Sequence, residues 1–198
     1  MRPAGLLALA VAAAAPALAQ PRAPTKGLVP IVIETSLGTI EAALDSARAP
    51  RTVTNFLRYV DAGLYDMAQF HRTVTPRNQP GSPVRIDVIQ ASLGAAHSRQ
   101  RLPPIPIERT TVTRLHHGDG TLSVARAGPD TGADEFFICI GDQPELDFGG
   151  KRNPDGQGFA AFGQVTKGMD VVRRIHSSHA DGQRLDPPIA IVRITRKR

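Results

Sequence analysis

Histidine, cysteine and aspartate are the residue types that most often bind metals or act as nucleophiles and bases, and none of them is spaced here for that chemistry. His116 and His117 are adjacent rather than one helical turn apart, so a loop or surface pair is favoured over a metal site. Cys139 is the only cysteine, which excludes an intramolecular disulfide. The segment 153–156 lacks the closing glutamate of an EF-hand calcium loop. We therefore expect neither a metal nor another cofactor.

Two common enzyme signatures are absent from the sequence. It contains neither the Gly-x-Ser-x-Gly motif of serine hydrolases nor a glycine-rich loop ending in Gly-Lys-Ser/Thr, which would bind a nucleotide phosphate. Seven Phe, two Tyr and no Trp leave few aromatic platforms for stacked bases. The basic residues at the C-terminus, 193–198, are typical of a solvated tail. We therefore expect no nucleic-acid partner.

The composition indicates an ordinary globular protein. The chain has 198 residues, of which 41% are hydrophobic and 21% are charged, and this predicts one folded domain. Its 18 Gly and 17 Pro are too many for a helical bundle and too few for a low-complexity chain. Because disulfides are excluded, packing alone must stabilise the core, and about 170 residues can bury enough apolar surface for that.

The first twenty residues have a composition of their own. Arg2 precedes an apolar run over 4–15, and Ala17-Leu18-Ala19 supplies the small residues of a signal-peptidase site. The apolar run is shorter than the ~20 residues that span a bilayer, which argues against a membrane anchor. This pattern predicts a signal peptide that is cleaved after Ala19.

The signal peptide sets the predicted domain organisation: signal peptide 1–19, linker 20–27 and one domain 28–198. We expect the mature protein to be exported and soluble, without a membrane span. The Ala/Arg-rich composition and the absence of disulfides indicate a bacterial periplasm.

The rest of the chain is predicted to be mainly β. One helix runs from Pro50, whose missing N–H costs nothing at a helix start, to Gly63. Its buried stripe consists of Val53, Phe56, Leu57 and Val60, and a second helix is predicted over 169–175. Short apolar segments between Gly, Pro or Asp residues predict strands over 29–35, 39–44, 69–74, 84–92, 120–126, 135–140, 158–165 and 188–195. This pattern favours a β-barrel or a sandwich.

Five motifs carry a family resemblance, and they occur in the family's order. They are ETSLGTI (34–40), TVTNFL (52–57), FHR (70–72), GTLSVARAGPDTGADEFFI (120–138) and FGQVTKG (162–168). With them the chain resembles the cyclophilin-type peptidyl-prolyl cis/trans isomerases over essentially all of 28–195. The resemblance implies a mainly β fold, a closed eight-stranded antiparallel barrel capped by two helices.

The resemblance also implies a site for rotation about an X–Pro bond. Arg72 would donate a hydrogen bond to the prolyl nitrogen, whose lone pair is freed when the amide twists, and Gln90 would hold the guanidinium. Phe137 would be the apolar floor for the proline ring. Ala125, Leu146, Val88 and Phe159 match positions in the pocket walls.

Two of these assignments have a plainer alternative. Phe136 and Phe137 are consecutive, so on a strand one faces inward and one outward, and either could be ordinary barrel core. Arg72 could be an exposed strand residue, although its place directly after Phe70-His71 favours the functional role.

Several residues depart from the family pattern. Gln90 comes eighteen residues after Arg72, where the family usually has eight, and we expect the extra segment 75–83 to form a rim loop because its three prolines cannot donate to a ladder. A second insertion covers 148–157. Asp87, Glu145, Arg126 and Glu135 replace a phenylalanine, a tryptophan, an asparagine and a glutamine of the family.

Two functions follow from these observations. The first is a peptidyl-prolyl cis/trans isomerase that acts on exported proteins as they fold. The second is a cyclophilin-like binding module or holdase for proline-containing segments, with little or no turnover. Arg72, Gln90 and Phe137 favour the enzyme, whereas Asp87 and the two insertions favour a weakened activity. In either case we expect a monomer whose partners are proline-containing peptides and unfolded or folding proteins.

Overall fold

The computed structural model describes residues 27–197, and its main feature is an antiparallel sheet that closes on itself. The strands in this part of the chain are β1 (Leu28–Thr35), β2 (Gly38–Asp45), β3 (Ala68–Val74), β4 (Val88–Ser92), β5 (Thr121–Val124), β6 (Phe136–Cys139), β7 (Ala160–Lys167), β8 (Ala180–Asp181) and β9 (Arg184–Arg196). Their order is β1-β2-β7-β5-β6-β4-β3-β9, and β9 also pairs with β1, while β8 adds to β9 alone. The predicted eight-stranded closed barrel is therefore confirmed. The predicted signal peptide lies outside the described residues.

Two strands begin four residues away from their predicted starts. The predicted strand 84–92 starts only at Val88, because glutamine side chains accept the preceding backbone N–H groups: Gln79 from Ile86 and Gln143 from Asp87. The last strand starts at Arg184 rather than at residue 188, and its two prolines lie where the pairing with β3 shifts register, so no ladder N–H is missing.

Three helices lie among the described residues: α1 (Pro50–Asp61), α2 (Thr110–Thr113) and α3 (Met169–His176). The helices α1 and α3 confirm the two predicted ones. The four-residue α2 was not predicted, since it is too short to show a helical period. Between residues 27 and 197 no helix has both the length and the apolar character needed to cross a membrane.

Helix α1 packs against the barrel through the predicted stripe, whose members Val53, Phe56, Leu57 and Val60 are all buried. The ring of Phe56 lies 5.4 Å from that of Phe136 and 5.2 Å from that of Phe162, both inside the barrel. Gly63 ends the helix in a left-handed conformation, with φ of +65°. The helix is therefore tied to the aromatic centre of the core.

A β-bulge in β3 decides which way Arg72 points. Phe70 pairs with Ala91 and Arg72 pairs with Gln90, so His71 is one extra residue opposite β4. Strict alternation would place Phe70 and Arg72 on the same face, but the bulge shifts the phase by one residue. Phe70 accordingly lies in the barrel core, whereas Val74 belongs to a separate apolar cluster outside it. Arg72 shares that outer face.

Candidate active site

A small apolar cluster covers part of the outer face of the barrel. Its buried members are Val74, Ile86, Val88, Phe137, Cys139 and Leu146, with Ala125 and Phe159 packed at its edge. The four residues predicted to line the pocket are all among them. Phe136 faces the barrel interior and Phe137 faces this outer cluster, so the structure decides between the two phenylalanines. Phe137 is 4% exposed.

The strand register places the three predicted catalytic residues in one row. Arg72 on β3 pairs with Gln90 on β4, and Gln90 pairs with Phe137 on β6. Neighbouring strands lie about 4.8 Å apart, so the guanidinium, the amide and the aromatic ring are adjacent on the outer face. The eighteen-residue separation of Arg72 and Gln90 is absorbed by the loop 75–87. Its part 75–83 forms no strand, as expected, whereas 84–87 was predicted to belong to the strand.

The Arg72 guanidinium is held from two sides. Its Nη1 donates to Gln90 Oε1 at 2.9 Å, while its Nε and Nη2 donate to Gln183 Oε1 at 3.0 and 2.6 Å. Gln90 is itself fixed, because its Nε2 donates to Glu135 Oε2 at 2.6 Å. A guanidinium has five N–H donors, so two remain for a ligand. The side chain is therefore oriented before any substrate arrives.

Burial lowers the pKa of the Arg72 guanidinium from its ordinary value, and the positive charge of Arg152 lowers it further, while Glu135 opposes both effects. Arginine starts from a pKa far above physiological pH, so the group stays charged. A cation with part of its hydration shell removed interacts more strongly with any lone pair placed beside it.

The Phe137 ring is fixed between two other rings. Phe159 meets it edge to face at 5.4 Å, and the imidazole of His117 stacks on it at 5.9 Å. His117 is fully buried, whereas the side chain of His116 is 68% exposed. The pair lies in a loop, as expected, but only His116 belongs to the surface.

His117 is held by hydrogen bonds at both ring nitrogens. Its Nδ1 lies 2.6 Å from Asp147 Oδ1, and its Nε2 lies 2.9 Å from Ser123 Oγ. The order serine, histidine, aspartate is that of a hydrolase triad, but Ser123 is fully buried and no substrate carbonyl can reach it. The array instead supports the imidazole against which Phe137 packs.

A family comparison agrees with this arrangement. The family described as cyclophilin type peptidyl-prolyl cis-trans isomerase/CLD matches residues 30–196. The chain belongs to the cyclophilin family.

Two named relatives of this cyclophilin come from a bacterium and a plant. It is 36% identical over 146 residues to the peptidyl-prolyl cis-trans isomerase cyp18 of Streptomyces antibioticus, covering 73% of this chain and 81% of the relative. It is 34% identical over 168 residues to the peptidyl-prolyl cis-trans isomerase CYP18-2 of Arabidopsis thaliana, covering 84% of this chain and 90% of the relative.

Solved structures share the fold. A cyclophilin type peptidyl-prolyl cis-trans isomerase of Cryptosporidium parvum superposes with a TM-score of 0.68 at 19% identity, over 86% of this chain and 98% of that one. A second structure of that protein, obtained in the presence of the dipeptide Ala-Pro, superposes with a TM-score of 0.68 at 20% identity. The match covers 85% of this chain and 99% of that one. The barrel of this cyclophilin is thus the barrel of its family.

Sequence reasoning missed Gln183 of this cyclophilin. It lies in the turn between β8 and β9, and its backbone oxygen accepts from Thr73 N at 2.9 Å. The preceding Asp181-Gly182 is a hairpin signal that predicts the turn. Nothing in the local sequence places that turn beside Arg72, because the contact joins residues more than a hundred positions apart.

We expect Gln183→Ala to lower kcat/KM by about tenfold, because two of the three held N–H groups of Arg72 lose their acceptor and the guanidinium becomes mobile. The loss should be in kcat rather than in KM. Steady-state isomerisation kinetics check this, with Arg184→Ala as the control, since Arg184 is the exposed residue next to Gln183 at the start of β9. An unchanged kcat in Gln183→Ala would show that Gln90 alone orients the arginine.

The carboxylate of Asp147 bonds both His116 and His117, and Asp147 directly follows Leu146 of the apolar cluster. Burial raises the pKa of its carboxyl, but the hydrogen bonds from His117 and His116 outweigh burial and the pKa lies below its usual value. A carboxyl whose pKa is lowered on folding stabilises the protein fully above its unfolded pKa of about 3.9, and this contribution is lost as the pH falls through the folded value.

Asp147→Asn should therefore lower the free energy of unfolding by about 1–3 kcal/mol at pH 7, the usual cost of breaking a buried hydrogen-bond network. The difference from wild type should persist down to pH 5 and shrink below pH 4, where first the unfolded and then the native carboxylate takes up a proton. Urea denaturation of both proteins across this range measures it. A difference that grows as the pH falls would contradict the assignment.

The replacement of a family phenylalanine by Asp87 does not make the pocket wall polar. The carboxylate of Asp87 turns away from the cluster and lies beside His176 Nε2 on α3. Burial raises its pKa, and His176 opposes the shift. The preceding residue, Ile86, packs into the apolar cluster instead. Ile86 thus contributes to the apolar wall where the motifs align Asp87, because the chain before β4 presents a different residue to the cluster.

The second insertion, 148–157, folds back onto the site. Asp155 accepts a bidentate pair of bonds from Arg126 at 2.7 and 2.8 Å, which lowers the pKa of Asp155 to about 2. The Arg126 side chain is only 2% exposed, and its guanidinium lies 5.1 Å from the centre of the Phe159 ring. Glu145, at the family's tryptophan position, accepts from the backbone N–H of Lys151. The replacements Arg126 and Glu145 thus anchor the insertion.

A cavity of about 470 Å³ adjoins the row of predicted catalytic residues. It shares Gln90 and Ala125 with the site, and the rest of its lining mixes charged residues, such as Arg101 and Glu135, with apolar ones, such as Leu102. The cavity is large enough for the side chain of a peptide residue next to the proline.

Proposed function

We propose that this protein accelerates cis–trans rotation about X–Pro bonds in exported proteins as they fold, acting as a monomer. The observation that carries the proposal is the guanidinium of Arg72, oriented by Gln90 and Gln183 with two N–H groups left over, beside the apolar cluster above Phe137. Family membership over residues 30–196 supports the same activity.

The chemistry needs no covalent step. The barrier to X–Pro rotation is about 18–20 kcal/mol and arises from amide resonance, which is lost when the bond is twisted by 90°. The twisted state has a lone pair on the prolyl nitrogen, and both planar states lack it. An N–H of Arg72 that donates to this lone pair stabilises the transition state more than the bound substrate, so it raises the rate.

The apolar cluster supplies the second requirement, which is a fixed proline. The proline ring rests on Phe137 between Val88, Leu146, Ala125 and Phe159, and burial of its apolar surface holds it while the rest of the chain rotates. The residue before the proline reaches toward the cavity that shares Gln90 and Ala125. One part of the substrate is therefore anchored and the other is free to turn.

The test is a protease-coupled assay with a proline tetrapeptide, using the mature chain. An isomerase accelerates the slow phase, which takes tens of seconds or more without a catalyst. The competing holdase predicts rates at background together with binding of unfolded chains. Background rates from protein shown to be folded by circular dichroism would reject the enzyme and leave the binding module.

Export rests on the N-terminal sequence. The apolar run 4–15 and the small residues Ala17 and Ala19 support cleavage after Ala19 and a periplasmic destination. Mass spectrometry of protein recovered from a bacterial periplasm should show a chain that begins at Gln20. An intact Met1 in the mature protein would contradict the assignment.

A further inference from the structure

A second arginine stands at the edge of the candidate site, and neither the motifs nor the family resemblance gives it a role. Arg152 lies in the insertion 148–157, and its backbone N–H donates to Glu145 O at 3.2 Å, next to Leu146 of the apolar cluster. The two N–H groups of its Nη1 are shared among three acceptors, Gln79 Oε1 at 2.9 Å, Ser82 Oγ at 2.9 Å and Val84 O at 2.7 Å. Arg152 therefore joins the two inserted loops of this chain.

These contacts place the guanidinium where two walls of the cluster meet. Gln79, one of its partners, is buried and bonds both the N–H and the C=O of Ile86, which is in the cluster. Its backbone partner Glu145 precedes Leu146, on the other wall. The charge of Arg152 also acts on Arg72, as the pKa of the latter shows. The two guanidinium groups are therefore close enough to interact.

One edge of the Arg152 guanidinium is free. All of its hydrogen bonds within residues 27–197 use Nη1, and no carboxylate of that range lies within salt-bridge distance of it. The Nε–H and Nη2–H groups point in parallel and form the fork that a carboxylate binds with both oxygens. The side chain is half-buried, so its partner would be screened less than one at an open surface.

The carboxylates around the site already have other partners. Asp155 is bound to Arg126, Glu135 to Gln90, and Asp87 to His176. Glu145 accepts from the backbone of Lys151. Two of these partners, the Gln90 amide and the Lys151 backbone, are neutral, and none of the four carboxylates is paired with Arg72 or Arg152.

We propose that Arg152 is a specificity-determining residue that makes this isomerase prefer X–Pro segments with an aspartate or glutamate next to the proline. This inference rests on the proposed function, because it assigns a substrate preference to the same site. Arg152 does not take part in bond rotation. It binds a carboxylate of the substrate while Arg72 acts on the prolyl nitrogen.

The experiment uses matched peptides that differ in one residue beside the proline. Glutamate, glutamine, alanine and lysine are compared at the position before the proline and, in a second series, at the position after it. Exchange spectroscopy by nuclear magnetic resonance gives kcat/KM without a coupling protease. In one of the two series we expect kcat/KM for the glutamate peptide to be about three- to tenfold higher than for the glutamine peptide. We expect 0.5 M NaCl to reduce this ratio.

Variants separate binding from loop structure. Arg152→Gln should bring the glutamate-to-glutamine ratio to about one while the alanine peptide keeps its rate, and Arg152→Lys should retain part of the preference. Lys167→Gln, an exposed charge at the end of β7, is the control and should leave the ratio unchanged. A role limited to tying the loops together would change stability and all peptides alike, and would overturn the proposal.

Failure of this inference is distinguishable from failure of the proposed function. Turnover of the alanine peptide with a wild-type ratio near one in both series overturns the role of Arg152 and leaves the isomerase intact. Background rates for every peptide reject the isomerase itself. The wild-type ratio and its salt dependence need no variant, so the inference can be rejected even if Arg152→Gln does not fold.

Discussion

Arg72→Ala is expected to lower kcat/KM by about 10²–10³, the usual cost of removing one preorganised donor from a transition state. The loss should fall on kcat, because the bond to the prolyl nitrogen forms only when the amide is twisted. Peptide affinity, measured by titration, should change much less. The fold should remain, since Arg72 lies outside the barrel core.

Arg72→Lys provides the sharper control. Lysine keeps the positive charge but has a single nitrogen, so it cannot bond Gln90 and Gln183 while another N–H faces the substrate. We expect it to recover little of the lost activity. Equal rates for wild type and Arg72→Ala, with both proteins folded, would remove Arg72 from the mechanism and favour the binding module.

The second large effect separates two neighbouring phenylalanines. Phe136→Ala should lower the free energy of unfolding by about 3–5 kcal/mol, because Phe136 is fully buried and packs edge to face against Phe56, Tyr65 and Phe70. Its effect on kcat/KM of the folded molecules should be small. Urea denaturation and kinetics on the same samples measure the two quantities.

Substitution of Phe137 should instead lower kcat/KM strongly and change the free energy of unfolding less. The smaller variant Phe137→Leu keeps most of the apolar volume but removes the flat floor between His117 and Phe159, and we expect kcat/KM to fall by about 10- to 200-fold. Phe136→Leu is the matched control. If the two leucine variants lose activity equally, the outer cluster is not where proline binds.

The sequence was most informative where a short-range pattern decides the structure. Pro50, Gly63 and the apolar stripe between them were enough to place α1, because a helix is specified by its ends and its period. For the consecutive phenylalanines the pattern was sufficient to say that they face opposite sides, but not which one faces in. That choice depends on the whole barrel, which fixes the register of β6 against β4.

Long-range contacts explain what the sequence did not reveal. The bulge at His71 appears only when β3 pairs with both of its neighbours, and it turns Arg72 outward. Ile86, rather than Asp87, packs into the apolar cluster, because the side chains of Gln79 and Gln143 accept the backbone N–H groups of these two residues in place of a neighbouring strand. The link from Arg152 to Ser82 joins two insertions seventy residues apart, and no local motif encodes it.

The turn that precedes β9 has a consequence for how the protein becomes active. Gln183 reaches Arg72 only when the last strand docks between β3 and β1, and the same step completes the ring of strands. During synthesis the residues that surround the proline pocket emerge first, but Gln183, which accepts two of the three held N–H groups of Arg72, follows with the last two strands. Full catalytic competence therefore comes with the closure of the barrel, so a nascent or C-terminally truncated chain lacks a correctly oriented arginine.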